Sequence, residues 1–163
     1  MASKLFRQIL IATDGSGYTK RAVDYGIDLA GNTGAKLYAI YVIDTGAYGS
    51  IPLSQPMEYA YSLLRQEGDA AIEYVKDRAE AEGLEVEGII AEGHPADEII
   101  KYAENNSIDL IVMGTLGKSG LDRFLLGSVA DKVVRNSKIP VIVVPANVEA
   151  MSKMSPGEDK KAG

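Results

Sequence analysis

Ile108-Asp-Leu-Ile-Val-Met113 runs directly into Gly114-Thr-Leu-Gly117-Lys-Ser-Gly-Leu-Asp-Arg-Phe-Leu-Leu-Gly127-Ser128. The first six residues form a short apolar run of the kind a buried strand shows, and a helical pattern begins at Ser128. Glycines at 114, 117 and 127 therefore sit between a strand and a helix. Small residues let backbone N–H groups come close to an anion, and a helix N-terminus adds a favourable dipole. A phosphate-bearing ligand is the leading reading of this loop.

Outward from the loop, strand-like and helix-like segments alternate. Ile9-Leu-Ile-Ala12 is a short apolar run closed by Thr13-Asp-Gly-Ser16. A helix then opens at Ser16 or Gly17, with Ala22, Gly26, Leu29 and Ala30 on its apolar side, and Gly31-Asn-Thr-Gly34 stops it. A second strand spans about Lys36 to Ile43, and residues 44–56, with two glycines and two prolines, read as a loop. The longest helix runs from about Met57 to Glu82, carrying Ala60, Leu64, Ala71, Val75 and Ala79 on one side. Val86 and Ile89-Ile-Ala91 give the third strand. Pro95, followed by Asp97 and Glu98, suits a helix start. Strand four is Ile108–Met113, a last helix spans about Ser128 to Asn136, and Val141–Val144 is strand five.

Five strands alternating with four helices predict a doubly wound α/β fold, a parallel sheet with helices on both faces. Ligands of such sheets bind beyond the carboxyl ends of the strands at a switch point. Thr13-Asp-Gly-Ser16 and the glycine loop line one crevice if strands one and four are neighbours. Periodicity alone leaves that adjacency open.

Hydrophobic residues make up 46% and charged residues 25% of the 163, as in an ordinary globular domain. We expect one domain over 1–146 and a disordered tail over 147–163, where apolar periodicity stops. The absence of cysteine excludes disulfides, thiolate metal sites and cysteine nucleophiles. No apolar run approaches the roughly 20 residues of a membrane span, and the first residues lack a signal-peptide core, so a cytoplasmic location is the default expectation. With a net charge of −6 and no lysine/arginine block, a nucleic-acid surface is not expected.

Gly117-Lys-Ser119 has the ending of a P-loop. The full pattern needs a glycine at position 112, which is Val112, and Gly120 is a poor helix start. The spacing that does hold is Gly-x2-Gly-x9-Gly-Ser, with Gly114, Gly117, Gly127 and Ser128 in register. It resembles the nucleotide motif of the universal stress protein family. Ile9-Leu-Ile-Ala-Thr-Asp14-Gly-Ser resembles that family's first strand and acidic turn, and Tyr41-Val-Ile-Asp44 the end of its second strand. Gly93-His-Pro-Ala-Asp-Glu-Ile99 resembles its third-helix start and Pro140-Val-Ile-Val-Val-Pro145 its last strand. The likeness covers about residues 5–145.

The resemblance implies a sheet order of 3-2-1-4-5, which makes strands one and four neighbours. By position it places Ala12, Thr13 and Asp14 beside adenine and ribose, with Asp14 accepting a ribose hydroxyl and Val42 meeting adenine through its backbone. Met113, Gly114 and Gly117 would pass the sugar and phosphates, and Gly127 with Ser128 would close on the outer phosphates. It further implies ATP, carried with Mg²⁺ or Mn²⁺, and a homodimer through Val141–Val144, whose apolar edge is hazardous unpaired.

Each residue also has a plainer reading. Ser128-x-x-Asp131 has capping-box spacing, and Asp14 can simply stabilise an Asx turn. Lys118 and Arg123 read either as phosphate partners or as solvated charge, His94 as a surface turn residue, and Tyr59, Tyr61 and Tyr74 as packing groups. No base for phosphoryl transfer can be named, so no catalytic residue or protein metal site is assigned and efficient turnover is not expected. The functional expectation is an ATP-binding regulatory protein of stress response. The alternatives are an interaction module with incidental or no nucleotide binding, and a slow ATPase.

Overall fold

Odd and even residues of the strands part cleanly between two cores, because successive side chains of a strand point to opposite faces. In the computed structural model, which describes residues 4–46, 56–116 and 126–146, the elements are β1 (Gln8–Ala12), α1 (Lys20–Thr33), β2 (Lys36–Asp44), α2 (Met57–Glu80), β3 (Val86–Gly93), α3 (Pro95–Asn105), β4 (Leu110–Gly114), α4 (Ser128–Asn136) and β5 (Val141–Val144). The sheet is parallel throughout, in the order β3-β2-β1-β4-β5. Ile9, Ile11, Leu37, Ala39, Tyr41, Leu110 and Val112 pack with α1 and α2. Leu10, Ala12, Tyr38, Ile40, Ile111 and Met113 pack on the other face with α3 and α4. Burying each large aliphatic side chain contributes about 1.5–3 kcal/mol, so both layers are held mainly by these strand residues.

The chain winds outward from β1 through α1, β2, α2 and β3, then returns to the other side of β1 to build β4 and β5. The switch point lies between β1 and β4, where Ile9, Leu10 and Ile11 pair with Leu110, Ile111 and Val112. The strand order implied by the resemblance is the order found.

Several expectations shift. A 3-10 turn over Gly17–Thr19 delays α1 to Lys20. Its buried stripe is Ala22, Val23, Gly26, Ile27 and Ala30, and Leu29 is only half-buried at the flank. β4 begins at Leu110 rather than Ile108. Before it, the Asp109 carboxylate Oδ2 accepts the N–H groups of Arg7 at 3.0 Å and Gln8 at 2.9 Å, tying the entries of β1 and β4 together. On α2, Tyr61 and Tyr74 do pack against the core, but Tyr59 is 53% exposed. It lies one residue, about 100°, from the buried Ala60 and so faces away. The expected tail at 147–163 and most of the expected loop at 44–56 lie outside the described residues.

Candidate functional site

Past the end of β1, two short-range turns hold the backbone. The Thr13 N–H donates to the Ile40 carbonyl at 3.0 Å, extending the β1–β2 pairing by one residue. Thr13 Oγ1 accepts the Gly15 N–H at 3.1 Å and lies 3.1 Å from Thr19 Oγ1. The single Thr19 hydroxyl proton goes to the Ser16 carbonyl at 2.9 Å, so Thr13 is the donor in the threonine pair. Asp14 Oδ1 accepts the Ser16 N–H at 2.9 Å. The Asx turn of the plainer reading is thus present, and it uses one carboxylate oxygen. The other has no partner among the described residues.

At the end of β4, the Thr115 N–H donates to the Val144 carbonyl at 3.1 Å, and the Gly127 N–H donates to the Thr115 carbonyl at 2.6 Å. The second bond draws together the two ends of the glycine loop. Gly127 is the N-cap of α4 and Ser128 its first helical residue, with no side-chain cap bond. The capping-box reading of Ser128 is therefore wrong: Asp131 turns its carboxylate to the Arg135 Nε at 2.9 Å, away from the helix start. The N–H groups of 128, 129 and 130 are left without intrahelical acceptors. With the helix dipole they form an anion-receptive end.

These two ends border one cleft of about 280 Å³, near the lower end of the roughly 300–1,000 Å³ usual for small-molecule pockets. It brings together Ala12, Thr13, Asp14, Val42, Met113, Gly114, Gly127 and Ser128. Gly117, Lys118 and Arg123 lie outside the described residues. The part of the cleft lined by α3 and α4 is apolar, made by Pro95 and Ile99 of the one and Val129 and Ala130 of the other. Among the described lining residues there is no lysine or arginine, and the rim carries Asp14 and Asp44.

Among the lining residues that sequence reasoning missed are Asp44, Pro95, Ile99 and Val129. Asp44 carried a usable signal, standing two positions from Val42 and hence on the same strand face. His94, at the N-cap of α3, is exposed.

The chain that builds this apolar slot, beside helix-start amides without intrahelical acceptors at the switch point of a 3-2-1-4-5 sheet, also matches a known family in sequence. The pattern of the universal stress protein family spans residues 5–145. The chain belongs to this family. It is 44% identical over 140 residues to universal stress protein MJ0531 of Methanocaldococcus jannaschii, covering 86% of this chain and 82% of that one. The solved structure of hypothetical protein MJ0577 matches with a TM-score of 0.73 at 32% identity, covering 86% of this chain and 96% of the other. The crystal structure of a universal stress protein in complex with cAMP matches with a TM-score of 0.64 at 29% identity, covering 87% and 98%. The cleft described above is thus a feature of a universal stress protein fold.

Proposed function

We propose that this universal stress protein holds ATP in the cleft at the ends of β1 and β4 and acts as a nucleotide-dependent regulatory module in stress response. The observation that carries the reading is the junction of an apolar slot with the N–H groups of 128–130, which open α4 without intrahelical acceptors. The relative solved with cAMP supports an adenine nucleotide as the ligand class. In this reading Ala12, Thr13 and Val42 border the base and sugar, and the uncommitted oxygen of Asp14 accepts a ribose hydroxyl. Met113 and Gly114 pass the phosphate chain, Gly117 continues that path, and Gly127 with Ser128 meets the outer phosphates.

The divalent cation, Mg²⁺ or Mn²⁺, belongs to the nucleotide. Among the described residues no group of three or more His, Asp or Glu side chains is placed to hold a metal. A cation on the phosphates would also offset their repulsion from Asp14 and Asp44. The role needs no turnover, and slow hydrolysis is compatible with it.

Titration calorimetry with ATP and Mg²⁺ is expected to give saturable binding of one nucleotide per chain. Mass spectrometry of freshly purified protein is expected to release an adenine nucleotide. No heat of binding from folded protein sinks the reading.

The sheet edges support the second part of the proposal, a homodimer through β5. The β3 edge carries exposed Glu87 and Glu92, and Lys36 pairs with Glu87 at 3.3 Å. Charges of this kind deter edge-to-edge pairing. The β5 edge is Val141-Ile-Val-Val144, with its first three residues only partly buried. Sedimentation at micromolar concentration is expected to give twice the mass of one chain. A monomer there counts against pairing through β5.

A further inference from the structure

We propose that Lys132 is shared between two anions, the Asp97 carboxylate and the outer phosphates of a bound triphosphate. A triphosphate then draws the lysine away and frees Asp97 at the start of α3. The inference rests on the nucleotide reading above and adds to it a way of showing the phosphate count on the protein surface.

The described lining of the cleft carries Asp14 and Asp44 but no lysine or arginine, whereas a triphosphate brings several negative charges. The N–H groups of 128–130 and the helix dipole answer part of that charge. α4 also brings two side-chain cations, Lys132 and Arg135. Arg135 stands nearly two turns beyond Ser128, and its Nε donates to Asp131 Oδ1 at 2.9 Å. Lys132 stands four residues beyond Ser128, so the two Cβ atoms lie about 5–6 Å apart on one side of the helix. Helical side chains lean toward the helix N-terminus, and the lysine stem is a flexible chain of four carbons. From that root the ammonium can reach an anion held by the amides of 128–130.

Its present partner belongs to α3. Lys132 Nζ is 2.9 Å from Asp97 Oδ1. Asp97 stands between the cleft residues Pro95 and Ile99, and Lys132 follows the cleft residues Val129 and Ala130. The pair therefore joins the two helices that make the apolar part of the cleft. Its side chains are 50% and 52% exposed, and an ion pair so exposed is weak. A charge-assisted hydrogen bond to a phosphate beside oriented amides is stronger, so an outer phosphate at the helix start wins the lysine. A monophosphate, whose one phosphate stays on the Met113–Gly114 path, does not. Asp97 is stable without its cation, because the dipole of α3 favours a carboxylate in the first turn.

The test is calorimetry on the full chain with ATP and with AMP, both with Mg²⁺. Lys132→Met keeps most of the stem and removes the charge. ATP affinity is expected to fall roughly fivefold, and AMP affinity to change by less than about twofold. Asp97→Asn removes the competing charge, and ATP affinity is expected to rise about two- to threefold with AMP again unmoved. In the double variant Asp97→Asn is expected to add nothing, since it acts through Lys132. If the pair only fastens α3 to α4, both single variants weaken ATP and AMP alike, which overturns the inference. A gain from Asp97→Asn that survives in the Lys132→Met protein is a plain effect of charge and overturns it as well. So does an ATP affinity that neither variant moves. Each of these outcomes leaves nucleotide binding intact, whereas binding of neither nucleotide by the unmodified protein overturns both readings.

Discussion

Gly114→Val is expected to abolish ATP binding while leaving a folded sheet. The sequence suggests that glycine leaves room for phosphate at this position. The structure gives a different reason. A Cβ on residue 114 would lie 3.2 Å from the Tyr18 carbonyl oxygen, 3.4 Å from the Leu116 carbonyl oxygen and 3.7 Å from Thr19 Cα. All three are backbone atoms, which cannot rotate aside as a side-chain tip can. The space belongs to the 3-10 turn after β1, and Gly114 lets that turn press against the end of β4. Valine would push Tyr18 and Thr19 away, and with Thr19 goes the hydroxyl that pairs with Thr13. The Asp14 turn and the cleft floor would move together. Overpacking of this kind costs about 1–3 kcal/mol. Expressed wholly in the binding-competent geometry, the upper figure is a loss of more than about a hundredfold in affinity. Gly114→Ala, whose single methyl needs a shift of only a few tenths of an ångström, should lose roughly tenfold or less. Calorimetry on both variants, with circular dichroism to establish folding, measures the effect. A folded Gly114→Val protein with the affinity of the parent would refute this account.

What could be read in the sequence was whatever local chemistry decides. Apolar runs marked β1, β2 and β5, and Pro95 and the Gly31–Gly34 stretch marked helix ends. Errors came where a distant partner sets the answer. Ile108 looks like strand, yet Asp109 commits its carboxylate to amides roughly a hundred residues earlier, and the ladder starts after it. Ser128 looks like a cap, yet Gly127 holds that position because its N–H closes on Thr115. The cleft shows the same division. Its motif residues were visible as turn chemistry after β1 and β4, but Pro95 and Ile99 join them only once the strand order is known. The family resemblance supplied that order, and alternating hydrophobicity could not.

Gly26→Val is expected to destabilise the fold by about 3 kcal/mol, an effect of opposite sign to the usual gain from replacing a helical glycine. Gly in an exposed helix interior is worse than Ala by roughly 0.5–1 kcal/mol, so substitution there normally stabilises. Gly26 faces β1. A Cβ would lie 2.5 Å from Ile11 Cγ1 and 2.6 Å from Ile11 Cδ1, with Val112 Cβ at 3.8 Å behind them. Ile11 and Val112 are both 0% exposed, so the isoleucine has nowhere to turn. Overpacking at about 1–3 kcal/mol outweighs the propensity gain for alanine, and valine adds two methyl groups and a β-branched penalty. Gly31, exposed near the end of the same helix, is the control. Its nearest neighbour would be Leu84 Cδ1 at 3.8 Å, and Gly31→Ala should stabilise by about 0.5 kcal/mol or slightly more. Ile11→Ala alone should cost about 2–5 kcal/mol through the cavity it leaves. Combined with Gly26→Val it should cost less than the sum, because each change relieves the other. Urea unfolding of the single and double variants measures the coupling. Strict additivity, or a stabilising Gly26→Ala, would show that α1 can move off β1 freely and that the close approach at Gly26 does not hold the two layers in place.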